Sequence, residues 1–91
     1  MLTLQPTKQY KRDRKRAIKR GLPMNLLDDV LQTLVEEKPL TPKHNDHELK
    51  GDYAGFRECH IRPDWLLIYQ VDKGKLILTA TRTGSHSDLF E

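Results

Sequence analysis

Three histidines, one aspartate and two arginines sit where a small fold can bring them together. His47 lies in a polar segment, His60 just before a tight turn, Asp64 in that turn, and His86 beyond the last apolar run, while Arg57 and Arg82 occupy strand-like stretches. This set fits acid–base work on a phosphodiester. One group takes a proton from a nucleophilic oxygen, a second protonates the leaving oxygen, and a cation stabilises the charged phosphorane. Histidine suits the first two tasks because its unperturbed pKa lies near neutrality. The planar fork of arginine matches phosphate oxygens. Each residue also has an ordinary reading: a histidine at a strand end is usually a half-exposed polar residue. Trp65 and Phe90 are, by type, more often core or edge-covering aromatics than base-stacking platforms. His44-x-x-His47 with Cys59 and Asp64 fits no compact zinc spacing, so no metal is expected. Cys59 alternates away from His60 and reads as a small buried hydrophobe.

A hairpin must position these groups. In Arg57–Ile61, residues Arg57, Cys59 and Ile61 take one face, and Phe56, Glu58 and His60 take the other. Trp65–Val71 is almost continuously apolar, as in a strand buried on both faces. The two arms meet at Arg62-Pro63-Asp64, where Pro63 presets φ for a turn. The main sheet is expected to comprise Gly51–Ile61 with a bend at Gly55, then Trp65–Val71. After a turn at Asp72-Lys73-Gly74 comes Lys75–Arg82, with Leu76, Leu78 and Ala80 inward. Thr83–His86 breaks the pattern, and a short tail runs to Glu91.

Upstream, Leu2–Leu4 makes a short edge strand closed by Pro6. Thr7 is a natural N-cap for a helix from Lys8 to Arg20, stopped by Gly21. Its apolar side comprises Tyr10, Ala17 and Ile18, with the Arg14 stem between them. A second helix starts at Pro23 or Asn25, carries Leu26, Leu27, Val30, Leu31, Leu34 and Val35, and ends before Pro39. Leu40–Lys50 is a polar surface loop. The expected fold is α+β, one domain over residues 1–91, with two N-terminal helices packed on one face of a small antiparallel, meander-like sheet.

The net charge of the 91-residue chain is only +3, but 8 of its 16 Lys and Arg residues lie between Lys8 and Arg20, with Asp13 the single acid among them. That element points to an anionic partner such as nucleic acid or an acidic protein. The lone Cys59 excludes an internal disulfide and suits a reducing cytoplasm. No apolar run approaches the roughly 20 residues of a membrane helix, and the first residues lack a signal-peptide core.

Three segments carry a resemblance: Asp46-His47-Glu48-Leu49-Lys50-Gly51, then Gly55 through Tyr69, then Arg82-Thr83-Gly84-Ser85-His86-Ser87-Asp88-Leu89-Phe90. In order and spacing they resemble the YafQ-type toxins, a branch of the RelE/ParE superfamily of bacterial toxin–antitoxin systems. The resemblance implies a ribosome-dependent endoribonuclease that cuts mRNA without metal or cofactor, by attack of an RNA 2′-OH on the adjacent phosphate. It implicates His47, His60, Asp64, Trp65, His86 and Phe90; of these, His86 is expected to be the principal acid/base, with His60 and His47 assisting or binding phosphate and Asp64 orienting a histidine or a base. Trp65, Phe90, Arg57 and Arg82 are expected to hold substrate, Arg82 matching a phosphate-binding arginine of the superfamily. Lys8, Lys11, Arg12, Lys15, Arg16 and Lys19 would grip ribosomal RNA. The implied partners are a cognate antitoxin, the ribosome and mRNA, with promoter DNA reached only through the antitoxin complex. Relatives of this fold that inhibit DNA gyrase by protein binding supply the alternative; the three motif histidines argue against it.

Overall fold

The buried run Trp65–Tyr69 organises the molecule. In the computed structural model, which describes residues 1–90, it forms most of the central strand of a five-stranded sheet. The chain runs β1 (Thr3–Pro6), α1 (Lys8–Lys19), α2 (Met24–Val35), β2 (His47–Glu48), β3 (Arg57–Arg62), β4 (Trp65–Asp72), β5 (Ile77–Gly84) and α3 (His86–Phe90), with single 3₁₀ turns at Pro42–His44 and Gly51–Tyr53. The sheet order is β1-β5-β4-β3-β2. Strands β3 to β5 form the expected antiparallel meander, and β2, within the segment expected to be a loop, adds a short antiparallel edge strand to it. The sheet as a whole is mixed, because β1 joins β5 in parallel. No hairpin ties these two strands together, so the return direction is free.

Both long helices cover one face. Leu27, Val30 and Leu31 of α2 and Tyr10 and Ala17 of α1 pack on Cys59, Ile61, Trp65, Leu67, Tyr69, Leu78 and Ala80. The opposite face carries a smaller cluster of Leu66, Ile68 and Leu89, screened by Leu49, Tyr53 and Phe56. Thr7 does cap α1: its Oγ1 accepts the Tyr10 N–H at 2.9 Å and donates to the Thr81 carbonyl at 2.8 Å, docking the helix start on β5. Pro23 occupies the N-cap position of α2, without a side-chain cap bond.

Four local expectations change. Ile18 is 54% exposed, because the buried row of α1 is Tyr10, Asp13 and Ala17, spaced i, i+3 and i+7. β3 starts at Arg57 because Gly51 and Gly55, at φ +67° and +93°, break the extended path. Leu76 lies exposed in the turn at φ +56°, so β5 begins at Ile77. The segment after Ser85 is a helical turn rather than a tail; Glu91 lies outside the described residues.

Asp13, 2% exposed, clamps α1 to β5. Its carboxylate accepts Arg82 Nε at 2.9 Å, Arg82 Nη2 at 3.1 Å, the Thr83 N–H at 3.2 Å and Gln9 Nε2 at 3.1 Å. Burial pushes this carboxyl up, but the bonds from Arg82, Gln9 and Thr83, with the charge of Arg82, outweigh it and leave it below the usual range. A depressed folded-state pKa stabilises above the unfolded value of about 3.9, and that contribution disappears as pH falls through the folded value. We expect a melting temperature that holds from neutrality to about pH 5 and drops below about pH 4. Thermal scans of Asp13→Asn, less stable at neutrality, should show a flatter acid limb.

Candidate active site

The pairing register builds the site on the face away from the long helices. β2 places His47 opposite Glu58, and strand alternation puts His60 on the same side as Glu58. Glu58, only 5% exposed, holds Oε1 3.6 Å from His47 Nε2 and 3.4 Å from His60 Nε2. His47 Nδ1 donates to the Asn45 carbonyl at 2.7 Å, which turns Nε2 toward that carboxylate. The His60 ring lies with its centroid 6.4 Å from His47 and 5.9 Å from His86.

His86 is held by the turn between β3 and β4. Its Nδ1 donates to Asp64 Oδ1 at 2.7 Å, and its backbone N–H reaches the same oxygen at 3.0 Å. Those two bonds, the backbone one foremost, keep the Asp64 carboxyl below its ordinary range. An ionised carboxylate only accepts, so Nδ1 carries the proton and Nε2 is the ring nitrogen left for chemistry. The four expected catalytic residues therefore do form one constellation: His86 oriented by Asp64, His60 facing it, and His47 behind His60. Glu58 supplies the shared counter-charge for whichever imidazole is protonated.

The expected substrate contacts divide. Phe90 is exposed and stacks edge-on against Tyr53 at 5.7 Å, presenting an aromatic rim beside the histidines. Trp65 is 2% exposed, with Nε1 donating to Thr83 Oγ1 at 3.0 Å, so it is a core residue with no face for a base. Arg57 points to the other side of the sheet, where Asp46 takes its guanidinium at 3.3 Å and Glu48 lies at 3.5 Å. Arg82 is committed to Asp13 by a two-bond fork. Neither arginine is presented to a phosphate in this arrangement.

On α1, Lys8, Lys11, Arg12, Lys15 and Lys19 are exposed, and their i, i+3/i+4, i+7 spacing makes one cationic stripe. Arg16 departs from the expected set, since it pairs with Asp88 at 3.1 Å and lies 3.7 Å from Asp13.

Glu58 and Asp13 were not singled out by sequence reasoning. For Glu58 the signal existed, because alternation places it with His60, but a lone glutamate on a strand ordinarily faces solvent. Glu58, His60 and His86 also offer one ligand atom each within 4.8 Å of one another, a group able to hold a metal ion that the spacing argument did not anticipate. The residues weighed for zinc are elsewhere engaged: His44 Nδ1 donates to the His60 carbonyl at 2.7 Å, and Cys59 is fully buried, its thiol pushed up by burial.

Comparison with known proteins supplies the remaining context. The family model described as "Bacterial toxin of type II toxin-antitoxin system, YafQ" matches residues 2–91. The mRNA interferase toxin YafQ of Escherichia coli is 42% identical over 84 residues, covering 90% of this chain and 88% of that protein. A metal-bound toxin from Helicobacter pylori superposes with a TM-score of 0.94 at 47% identity, covering 99% of this chain and all of that one. The toxin in the E. coli DinJ–YafQ toxin–antitoxin complex gives 0.90 at 36% identity, over 99% and 98% of the two chains.

Proposed function

The chain belongs to the YafQ family of toxins of type II toxin–antitoxin systems, and on that premise we propose that it is an endoribonuclease that cuts mRNA on the ribosome by histidine acid–base catalysis. The observation that carries this reading is the Asp64-oriented His86 ring facing His60 at 5.9 Å. One imidazole takes the proton of the RNA 2′-OH as its oxygen bonds to phosphorus. The other gives a proton to the departing 5′-oxygen as the P–O5′ bond breaks. The products are a 2′,3′-cyclic phosphate and a 5′-hydroxyl. His86, with Nδ1 fixed, works through Nε2; His60 is the second proton carrier, with Glu58 Oε1 3.4 Å from its Nε2 and His47 beyond it. Phe90, on Tyr53, offers a stacking edge for a nucleotide. The lysine-rich stripe of α1 meets ribosomal RNA phosphates, a salt-sensitive contact.

A cognate antitoxin is the protein partner under this reading, as DinJ is for the E. coli YafQ, and promoter DNA is reached through that complex. A cytoplasmic site of action follows from the substrate; no described helix is long and apolar enough to cross a membrane. The gyrase-directed alternative needs no histidine constellation and gives no reason for one. The test is a reporter mRNA with a single 2′-deoxy residue at the mapped cut. Uncut modified message, with a cyclic phosphate on the product of the unmodified one, is the expected result. Cleavage of the 2′-deoxy message would overturn the mechanism.

A second occupant of the same site is favoured by the closeness of Glu58, His60 and His86, and the H. pylori relative is described as metal-bound. Glu58, His60 and His86 would hold a transition-metal ion, which would take up lone pairs that proton transfer requires. Cu(II) is therefore expected to raise the melting temperature and suppress cleavage, with chelator reversing both. Unchanged melting at saturating Cu(II) would dismiss the metal.

A further inference from the structure

The His86–Asp64 pair cannot fix itself. His86 and Asp64 side chains are 54% and 70% exposed, and an exposed ion pair contributes little to holding its partners in place. The helix that carries His86 has five residues, too few to be stable alone. Leu89 seats that turn against Leu66 and Ile68, and a set of polar contacts anchors it from the other side.

Two residues after His86, Asp88 gathers an unusual number of bonds for a surface carboxylate. It closes a capping box with Ser85: its Oδ2 accepts the Ser85 N–H at 2.9 Å, and its own N–H donates to Ser85 Oγ at 3.1 Å. Arg20, at the end of α1, donates to both carboxylate oxygens at 2.6 and 3.2 Å. Arg16, one turn earlier, reaches Oδ1 at 3.1 Å. The carboxylate side chain is only 12% exposed, and the Arg20 fork, aided by Ser85, holds it well below the usual carboxyl range. Gly84 leaves the room: a Cβ there would lie 2.9 Å from both Cβ and Oδ2 of Asp88. Four contacts converge on the Asp88 carboxylate, one from the Ser85 N–H, two from Arg20 and one from Arg16, against the two that join Asp64 to His86.

We propose that Asp88, which touches no reacting atom, is the positioning residue of the site, anchoring the His86 turn to α1 through Arg20 and Arg16. The proposal rests on the assignment of His86 as an acid–base group. Its consequence is that the far end of the basic helix belongs to the catalytic apparatus, while the lysine stripe remains the RNA-facing part.

The test compares full-length wild type with Asp88→Asn, Arg20→Ala and Arg20→Lys, each purified through its antitoxin complex and then freed of antitoxin. Three quantities are read: kcat and KM for mRNA cleavage, melting temperature, and the imidazole ¹⁵N spectrum of His86, which reports the Nδ1–H bond to Asp64. Misplacing a catalytic group by about 1 Å costs about 100-fold. Asp88→Asn and Arg20→Ala should therefore lower kcat about 10- to 100-fold with KM within about twofold, and the single-tautomer His86 signature should be lost. Arg20→Lys, which keeps one charged bond, should recover part of both. A raised KM with kcat and the His86 spectrum intact would make Arg20 an RNA contact and overturn the proposal. A lower melting temperature with both intact would reduce the clasp to packing and overturn it equally. Should Asp88→Asn not fold, the exposed Arg20 variants decide alone. A wild type that cleaves nothing, yet loses the His86 signature on Asp88→Asn, would sink the nuclease reading while leaving the positioning role standing.

Discussion

His86→Ala is expected to lower mRNA cleavage by about 10²–10⁴-fold, the usual worth of one positioned acid or base. Growth inhibition should disappear with it. The ring is half exposed and its hydrogen bond runs to an exposed aspartate, so folding loses little: surface substitutions of this kind stay within about 0.5 kcal/mol. Antitoxin affinity is expected to survive as well. Asp64→Asn should fall between His86→Ala and wild type, since it removes the group that selects the His86 tautomer but leaves the imidazole in place. The comparison is made by single-turnover cleavage, with melting temperature as the control for folding. A folded His86→Ala protein that still arrests growth would place the chemistry elsewhere.

Arg82→Ala is expected to act on stability, in contrast to the phosphate-binding role that the family resemblance suggests. Removing this side chain takes away the two-bond charge partner of the Asp13 carboxylate, which is buried between α1 and β5 and keeps the Thr83 N–H, Gln9 and the more distant Arg16 at 3.7 Å. Breaking a buried ion pair from one side costs about 3–5 kcal/mol. Against a typical total of about 5–15 kcal/mol, that is a large share. At about 4–8 °C per kcal/mol for a domain near this size, the melting temperature should fall by more than about 10 °C. Asp13→Ala should be similarly damaging, and the double variant should cost less than the sum of the two, since each single variant already breaks the pair. Chemical denaturation measures all three. An Arg82→Ala protein with unchanged stability and a raised KM would restore the phosphate role.

What could be foreseen follows from how local the cause was. The Trp65–Tyr69 run announces a strand buried on both faces because no other element of that length tolerates continuous apolar side chains. Thr7 capped α1 as its type and position required, and period-two alternation put His60 and Cys59 on opposite faces. The failures share one origin, which is distance along the chain. Asp13 looked like a lone acid in a solvated basic helix; its partners Arg82 and Thr83 lie 69 and 70 residues away. Trp65 looked available to a base until Thr83 was placed where it accepts the indole N–H. Arg57 and Arg16 look like free cations along the sequence, yet each is paired with an acid that no spacing rule connects to it, Asp46 and Asp88. The histidines of the site were legible as ingredients. Glu58, which joins two of them, required the β2–β3 register.

Ribosome-linked cleavage of mRNA is tested most directly by mapping 5′ ends by primer extension on a defined message in a purified translation reaction. The same message without ribosomes serves as control. In-frame cuts that appear only on translated message and vanish with His86→Ala are the expected result. Identical cuts on naked RNA would contradict the ribosome requirement, and no cuts from folded, antitoxin-free protein would contradict the nuclease itself.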